Sequence, residues 1–129
     1  MERDRLIAAS RLRRGQAAED LAADYLEARG LELIARNVRC KAGELDLVCL
    51  EGALLVIVEV RQRTRRDFGG ALASVTRRKQ MKILRAARFV LRSCPPLRQR
   101  RVRFDVLALQ GTPEGASEIV WIKDAFRAT

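Results

Sequence analysis

Two carboxylates stand close together in a strand-like run of the sequence, Glu-Leu-Asp-Leu-Val at residues 44–48. Side chains alternate between the two faces of a strand. Glu44 and Asp46 are therefore predicted to share one face, with Leu45 and Leu47 on the other.

The next strand-like run ends Val-Glu-Val-Arg at residues 58–61, which places Glu59 and Arg61 on one face. If the two runs pair as a hairpin, Asp46 and Glu59 converge at one end of the sheet, because the turn between them is short. Two convergent carboxylates make a hard-oxygen site for Mg²⁺ or Mn²⁺. Such an ion lowers the pKa of bound water and stabilises charge on a phosphate, and phosphodiester hydrolysis needs both effects.

The same residues also allow a purely structural arrangement. Arg61 can bridge Asp46 and Glu59 as a salt-bridge cluster, a common pattern at strand ends. A third acid, Glu19, flanks the apolar stripe of the first predicted helix, from which it can reach the end of the sheet. In the alternative, Glu19 lies on a solvated helix face beside Asp20. The residues alone leave both alternatives open.

The chain is strongly basic, with 26 lysines and arginines against 16 acids and a net charge of +10. This excess predicts a polyanionic partner, nucleic acid first and an anionic membrane surface second, with a solubility surface as the alternative. Within the second predicted helix, a stripe opposite the apolar face predicts phosphate binding by Arg78, Lys82, Arg85 and Arg92. Arg63 and Lys79 are expected to add to this surface. A second basic cluster precedes the fourth predicted strand: Arg98, Arg100, Arg101 and Arg103.

Composition argues against several other chemistries. The chain has no histidine, and its three cysteines form no C-x-x-C pair. Zinc, a disulfide framework and histidine-based catalysis are therefore not expected. Aromatic residues make up only 5%, which does not favour a base-stacking platform. No apolar run has the length of a membrane span and the charged start is not typical of a signal peptide, so a cytoplasmic location without a membrane partner is predicted.

Periodicity and turn residues predict a single α/β domain over residues 1–129, with 1–13 as a flexible basic arm. The predicted order is α-β-β-β-α-β-β, with a central mixed five-stranded sheet flanked by helices. The helices cover residues 16–29 and 76–93, the strands 31–39, 44–50, 54–61, 102–109 and 118–123, and a charged loop 62–70. The third strand is apolar on both faces, which predicts a central position and a parallel crossover to the fourth.

Several motifs together resemble the YraN family of bacterial proteins. They are Gly15-x-x-Ala18-Glu19-x-x-Ala22-x-x-Tyr25-Leu26, Arg36-Asn37, Gly43-Glu44-Leu45-Asp46-Leu47-Val48 and Val58-Glu59-Val60-Arg61-x-Arg63. Later positions fit the same pattern, namely Gly70, Val75, Lys79, Ile83, Ala87 and residues 103–106. The resemblance extends from about Gly15 to Leu109, and its motifs are specific in combination rather than singly.

This resemblance implies a nuclease-type site. The family is similar to the restriction-endonuclease-like superfamily and to archaeal Holliday-junction resolvases. By that likeness Asp46 and Glu59 are metal ligands, with the Val60 carbonyl as a third, and Glu19 matches a helix-borne glutamate. The implied reaction is Mg²⁺- or Mn²⁺-dependent cleavage of a phosphodiester bond, in DNA that is branched or damaged. Because junction resolvases act as dimers, a homodimer is an expectation at the family level.

Position 61 departs from the superfamily pattern, which has lysine there. Arginine keeps the charge, but it forks its donors and does not give up its proton. Arg61 can stabilise a transition state, or it can salt-bridge both carboxylates and disfavour a metal ion. Two functions follow: a metal-dependent nuclease, or a nucleic-acid-binding module that keeps the fold without turnover. A protein- or membrane-surface adaptor is a third, in which the acidic face has no role.

Overall fold

The computed structural model describes residues 17–63, 68–111 and 118–128. The helices are α1 (Ala17–Ala28), α2 (Phe68–Ala73) and α3 (Arg77–Ser93), and a 3₁₀ turn spans Pro95–Leu97. The strands are β1 (Glu32–Cys40), β2 (Gly43–Glu51), β3 (Leu54–Arg63), β4 (Val102–Gln110) and β5 (Glu118–Phe126). The predicted basic arm, residues 1–13, lies outside the described residues. Within them, no helix has both the length and the apolar character needed to cross a membrane.

The five strands form one sheet in the order β1-β2-β3-β4-β5. The pairs β1–β2, β2–β3 and β4–β5 are antiparallel, whereas β3 and β4 run parallel. The predicted mixed α/β sheet with a parallel crossover is therefore confirmed. Strand β3 lies at the centre, as its apolar character on both faces predicts, and its buried apolar side chains include Leu55, Val56, Ile57 and Val58.

A helix covers each face of the sheet. The core on one face contains Ala22, Ala23 and Leu26 of α1 together with Leu47, Val56, Val58 and Leu107. The core on the other face contains Ile83, Leu84, Ala87 and Val90 of α3 together with Leu45, Val48, Ile57 and Val106. Helix α3 begins at an N-cap threonine, Thr76, whose Oγ1 accepts a hydrogen bond from the Lys79 backbone N–H at 3.2 Å.

The prediction that Leu45 and Leu47 share a face is wrong. Leu45 packs into the core beneath α3, and Leu47 packs into the core beneath α1. The regular alternation of β2 therefore breaks at Asp46, between these two leucines.

The neighbouring strand supplies the cause. Asn37 has a φ of +54°, in the left-handed region that asparagine tolerates better than most residues. It lies between the Arg36–Leu47 and Val38–Leu45 pairs of the β1–β2 register, and so stands opposite Asp46. In both paired strands, the alternation of side chains between the two faces of the sheet shifts by one residue at this point.

The predicted loop over residues 62–70 is also partly wrong. Strand β3 continues to Arg63, and the short helix α2 begins at Phe68 and lies against β3 and β4. Two adjacent glycines, Gly69 and Gly70, disfavour a helix on intrinsic propensity. Packing on the sheet overrides that propensity here.

A buried carboxylate joins β4 to β5. Asp105 is fully buried and accepts hydrogen bonds at 2.8 Å from both Nε and Nη2 of Arg103. It also accepts hydrogen bonds from Trp121 Nε1 at 2.8 Å and from the Asp124 backbone N–H at 2.9 Å. Arg103 donates in addition to Glu51 on β2 at 2.9 Å. Arg103, a member of the predicted basic cluster, therefore links β4 to β2 within the fold through its hydrogen bonds to two carboxylates.

Removal of this carboxylate should strongly destabilise the fold. Asp105→Ala removes the buried acceptor of two Arg103 donors, of Trp121 Nε1 and of the Asp124 N–H, and leaves Glu51 as the remaining carboxylate partner of Arg103. We expect the free energy of unfolding to fall by about 3–5 kcal/mol in urea denaturation. Asp24→Ala, at an exposed acid on α1, is the matched control and should change it by less than about 0.5 kcal/mol. Equal effects of the two substitutions would contradict this account of Asp105.

Candidate active site

Strands β2 and β3 part at the end of their paired region. Their register runs from Glu51–Leu54 to Leu47–Val58. Beyond this last pair, the backbone N–H of Val60, two residues past Val58, donates to Asp46 Oδ2 at 2.9 Å. A side-chain oxygen thus accepts a hydrogen bond from a strand N–H at the point where the strands separate. This bond holds the Asp46 carboxyl at the mouth of the gap between the strands.

The carboxyl groups of Asp46 and Glu59 lie close to each other at this gap and line the same cleft. Glu59 is buried, with 5% of its surface exposed. The pKa of the Asp46 carboxyl is raised to about 7, chiefly by burial and next by the negative charge of Glu59. The Asp46 carboxyl can therefore hold a proton near neutral pH.

Two cations reach the same oxygen of Glu59. Arg61, on the same face of β3, places Nη2 at 2.9 Å from Glu59 Oε2. Lys79, in the first turn of α3, places Nζ at 3.3 Å from that oxygen. The sequence predicts the first of these contacts from strand alternation. The second depends on the packing of α3 over the sheet, and local pattern does not reveal it.

Helix α1 brings a third acid to the pair. The Glu19 side chain is 12% exposed, whereas that of Asp20 is 63% exposed and pairs with Arg36 at 2.6 Å. Glu19 therefore faces the end of the sheet rather than solvent. Burial raises the pKa of Glu19 to about 7, and the charge of Asp46 contributes next. The structure thus places the helix glutamate near Asp46.

Asn37 is a site residue to which sequence reasoning assigned no role. Its side chain is buried and lies beside Glu19, where it offsets part of the rise in the pKa of that carboxyl. Its left-handed backbone sets the change of face opposite Asp46. An asparagine inside a strand-like run is the signal that was available, because asparagine is depleted in strands and enriched where φ is positive.

The acids lie in an open cleft of about 730 Å³. Its acidic lining consists of Glu44, Asp46 and Glu59, and its basic lining of Arg39, Arg78, Lys79 and Lys82. Arg78 and Lys82 are exposed, whereas Glu59 is buried, so the positive groups surround the acids from the solvent side. The remaining predicted phosphate-binding residues lie elsewhere: Arg85 and Arg92 are exposed further along α3, and Arg63 stands at the end of β3.

Gly43 sets the distance between β2 and α3. A Cβ added at Gly43 would lie 3.2 Å from both the Cβ and the carbonyl oxygen of Lys82. The turn between β1 and β2 therefore packs closely on the helix that carries Lys79 and Lys82. This close approach forms one wall of the cleft.

The donor chemistry fits a hard divalent cation. Within the described ranges, no three acidic, histidine or cysteine side chains are close enough to form a ready metal-binding group. Asp46 and Glu59 nevertheless offer adjacent carboxylate oxygens, the ligands that Mg²⁺ and Mn²⁺ prefer. Glu19 Oε1 is buried without a hydrogen-bond donor, and Arg36 Nη2 stands 4.0 Å from it. A cation would offset the burial and the like-charge repulsion that raise the pKa values of Glu19 and Asp46.

Comparison with known proteins identifies the family. The family described as uncharacterised protein family UPF0102 matches residues 18–109. The chain belongs to UPF0102. This is the YraN family, so the resemblance found in the sequence is confirmed.

The relatives match over nearly their whole length. A UPF0102 protein of Pseudomonas putida strain GB-1 is 50% identical over 119 residues, which cover 92% of this chain and 97% of that protein. One from Pseudomonas entomophila strain L48 is 50% identical and covers 87% and 91%. One from Halorhodospira halophila is 46% identical and covers 88% and 87%. This UPF0102 chain thus corresponds to relatives of similar length.

The raised pKa of Asp46 predicts a pH-dependent stability. The ordinary value is 3.8 and the folded value is about 7. Because the folded state binds this proton more tightly, the resulting stabilisation is complete below about pH 4 and is lost as the pH rises through about 7. An asparagine at this position keeps an acceptor for Val60 but cannot ionise. In EDTA at about pH 8.5, Asp46→Asn should therefore raise the free energy of unfolding by on the order of 1 kcal/mol or more.

Thermal denaturation across pH checks this expectation. The advantage of Asp46→Asn should shrink as the pH falls from about 7 to about 5, where the wild-type carboxyl becomes protonated. Asp24→Asn, on the exposed face of α1, is the control and should show no such alkaline advantage. A variant no more stable than wild type at alkaline pH would mean that the acid pair has no electrostatic cost.

Proposed function

We propose that this protein is a metal-dependent nuclease that hydrolyses phosphodiester bonds in DNA. One observation carries the proposal: the Asp46 and Glu59 carboxyls lie together in a cleft whose exposed walls hold Arg78 and Lys82. Interior acids suit the chemistry at phosphorus, and cations nearer the solvent suit a polyanionic backbone.

The acid pair is better explained by function than by stability. A salt-bridge cluster built to stabilise the fold places cations between acids, as Arg103 does between Asp105 and Glu51. Asp46 instead meets Glu59 directly, and burial leaves its pKa raised. Groups with pKa values raised by burial and by like charges cluster at functional sites, and this pair lies in a cleft.

The resemblance adds the assignment of ligands. Asp46, Glu59 and the Val60 carbonyl would hold Mg²⁺ or Mn²⁺, with Glu19 beside them. The cation supplies Lewis-acid stabilisation of charge on the phosphate and makes water more acidic. In the overall reaction a water oxygen bonds to phosphorus, the bond to one sugar oxygen breaks, and that oxygen takes up a proton. Val60 N–H fixes the Asp46 carboxyl for this role through its hydrogen bond at 2.9 Å.

The basic residues of α3 would bind the phosphate backbone rather than the bases. Arg78, Lys82, Arg85 and Arg92 are exposed, and the chain is poor in aromatic residues, 5% in all. Contacts of this kind track charge without reading sequence. The proposed DNA substrate is therefore recognised by its backbone and its shape, and a branched or damaged form follows from the likeness to junction resolvases.

A specific observation favours the alternative, a nucleic-acid-binding module without turnover. Arg61 and Lys79 both neutralise Glu59 at the same oxygen, at 2.9 and 3.3 Å. If these ion pairs persist in the presence of a divalent cation, Glu59 Oε2 remains occupied and Glu59 is a weaker ligand. Cleavage and binding assays on the same variants separate the two functions.

Cleavage is tested on junction, flap, single-stranded and duplex DNA with Mg²⁺ or Mn²⁺. The wild-type protein should cut at least one substrate, and Asp46→Ala and Glu59→Gln should each lower the rate by at least about 100-fold. Asp24→Ala is the control at an acid distant from the cleft. No cleavage by any preparation, or cleavage that survives Asp46→Ala, would rule out the nuclease and leave the binding module.

Binding is tested by measuring DNA affinity against salt concentration. The double variant Arg78→Ala with Arg85→Ala should bind more weakly and lower the slope of log affinity on log salt by about 2. The control removes two exposed arginines outside the cleft lining, Arg29→Ala with Arg127→Ala, and should leave the slope nearly unchanged. Equal slopes for both double variants would exclude α3 as the DNA-binding face.

A further inference from the structure

A lysine reaches the acid pair from a different element than the superfamily pattern predicts. Lys79 lies in the first turn of α3, and its Nζ stands 3.3 Å from Glu59 Oε2. Arg61, at the position where the pattern has lysine, reaches the same oxygen at 2.9 Å. One carboxylate oxygen therefore has both an arginine and a lysine as partners.

We propose that Lys79 is a catalytic residue that supplies the ammonium group which the superfamily pattern places at position 61, and that Arg61 instead positions Glu59. This assignment rests on the proposed nuclease function and extends it. The lysine has changed its place in the sequence while its charged group remains at the same carboxylate.

Exposure divides the two roles. The Lys79 side chain is 43% exposed and lines the cleft, whereas the Arg61 side chain is 18% exposed. A phosphate entering the cleft from solvent meets Lys79 first. The lysine stem is flexible, so its ammonium can turn from Glu59 to a phosphate oxygen. Arg61 is more enclosed, and its planar guanidinium suits a fixed contact with a carboxylate.

The fold holds the base of Lys79 in a defined place. Thr76 Oγ1 accepts the Lys79 backbone N–H at 3.2 Å, which fixes the first turn of α3. Gly43 lets β2 approach the same helix one turn later, at Lys82. Both contacts set the helix start over the gap between β2 and β3. The long side chain needs only to extend from that anchored backbone.

The chemical role of Lys79 keeps its proton in place. As the water oxygen bonds to phosphorus and the bond to the sugar oxygen breaks, negative charge grows on the phosphate oxygens. The Lys79 ammonium donates hydrogen bonds to that charge. Such donors act mainly on the transition state, so their loss lowers the rate more than the affinity.

The test is single-turnover cleavage by the full chain at saturating DNA, with DNA affinity and thermal midpoint measured alongside. Lys79→Met should lower the rate at least about 100-fold while DNA affinity changes by less than about threefold. The matched control, Lys123→Met, removes an exposed lysine on β5 outside the cleft lining and should leave both the saturated rate and the DNA affinity within about threefold. The double variant Lys79→Met with Arg61→Lys should regain at least about tenfold, because a lysine then stands again beside Glu59.

Each other result counts against the assignment. If the wild type cleaves and Lys79→Met cleaves as fast, or loses only affinity, Lys79 has no catalytic role. If Arg61→Lys does not restore any rate to Lys79→Met, the two positions do not share one role and the assignment is wrong. If the wild type cleaves no DNA while binding it, the proposed nuclease function itself fails, and the assignment fails with it. The wild-type result thus distinguishes the two failures.

Discussion

The hydrogen bond from the Val60 N–H to the Asp46 carboxyl is the contact on which the site depends. It forms where β2 leaves β3, beyond the Leu47–Val58 pair. Without it, a central strand would expose an unpaired donor at the gap, and such a donor is costly when buried. The acid that satisfies this donor also lies against Glu59. One contact therefore both ends the strand pairing and builds the acidic pair.

Much of the fold follows from local pattern. Two-residue alternation, helical periodicity and turn residues predict the element order, the central place of β3 and the meeting of Asp46 with Glu59, because each depends on neighbours within one strand or one hairpin. The prediction that β2 alternates regularly between its two faces is wrong, because it was drawn from the residues of that strand alone. A single left-handed residue on the adjacent strand, Asn37, shifts the pattern across the pair, and the sequence of β2 contains no sign of it.

The parts that sequence could not predict are contacts between distant elements. Lys79 reaches Glu59 because α3 crosses the sheet over the gap, and Gly43 lets that helix approach closely. Arg103 belongs by sequence to a basic cluster, yet it pairs with the buried Asp105. Charge counted along the chain cannot show which lysine or arginine pairs with a buried carboxylate and which one remains at the surface. Their roles depend on which carboxylate the folded chain brings within reach.

The two cations at Glu59 also explain how the protein tolerates its acids. Glu59 is buried, and a buried carboxylate is stable only when paired. Arg61 gives it a partner that remains charged at any physiological pH. With that partner in place, Lys79 is not required for the stability of Glu59, and its partly exposed ammonium can exchange one acceptor for another. Because Arg61 pairs with Glu59, the Lys79 ammonium is able to bind a phosphate instead. An arginine at position 61 is therefore compatible with catalysis at this site.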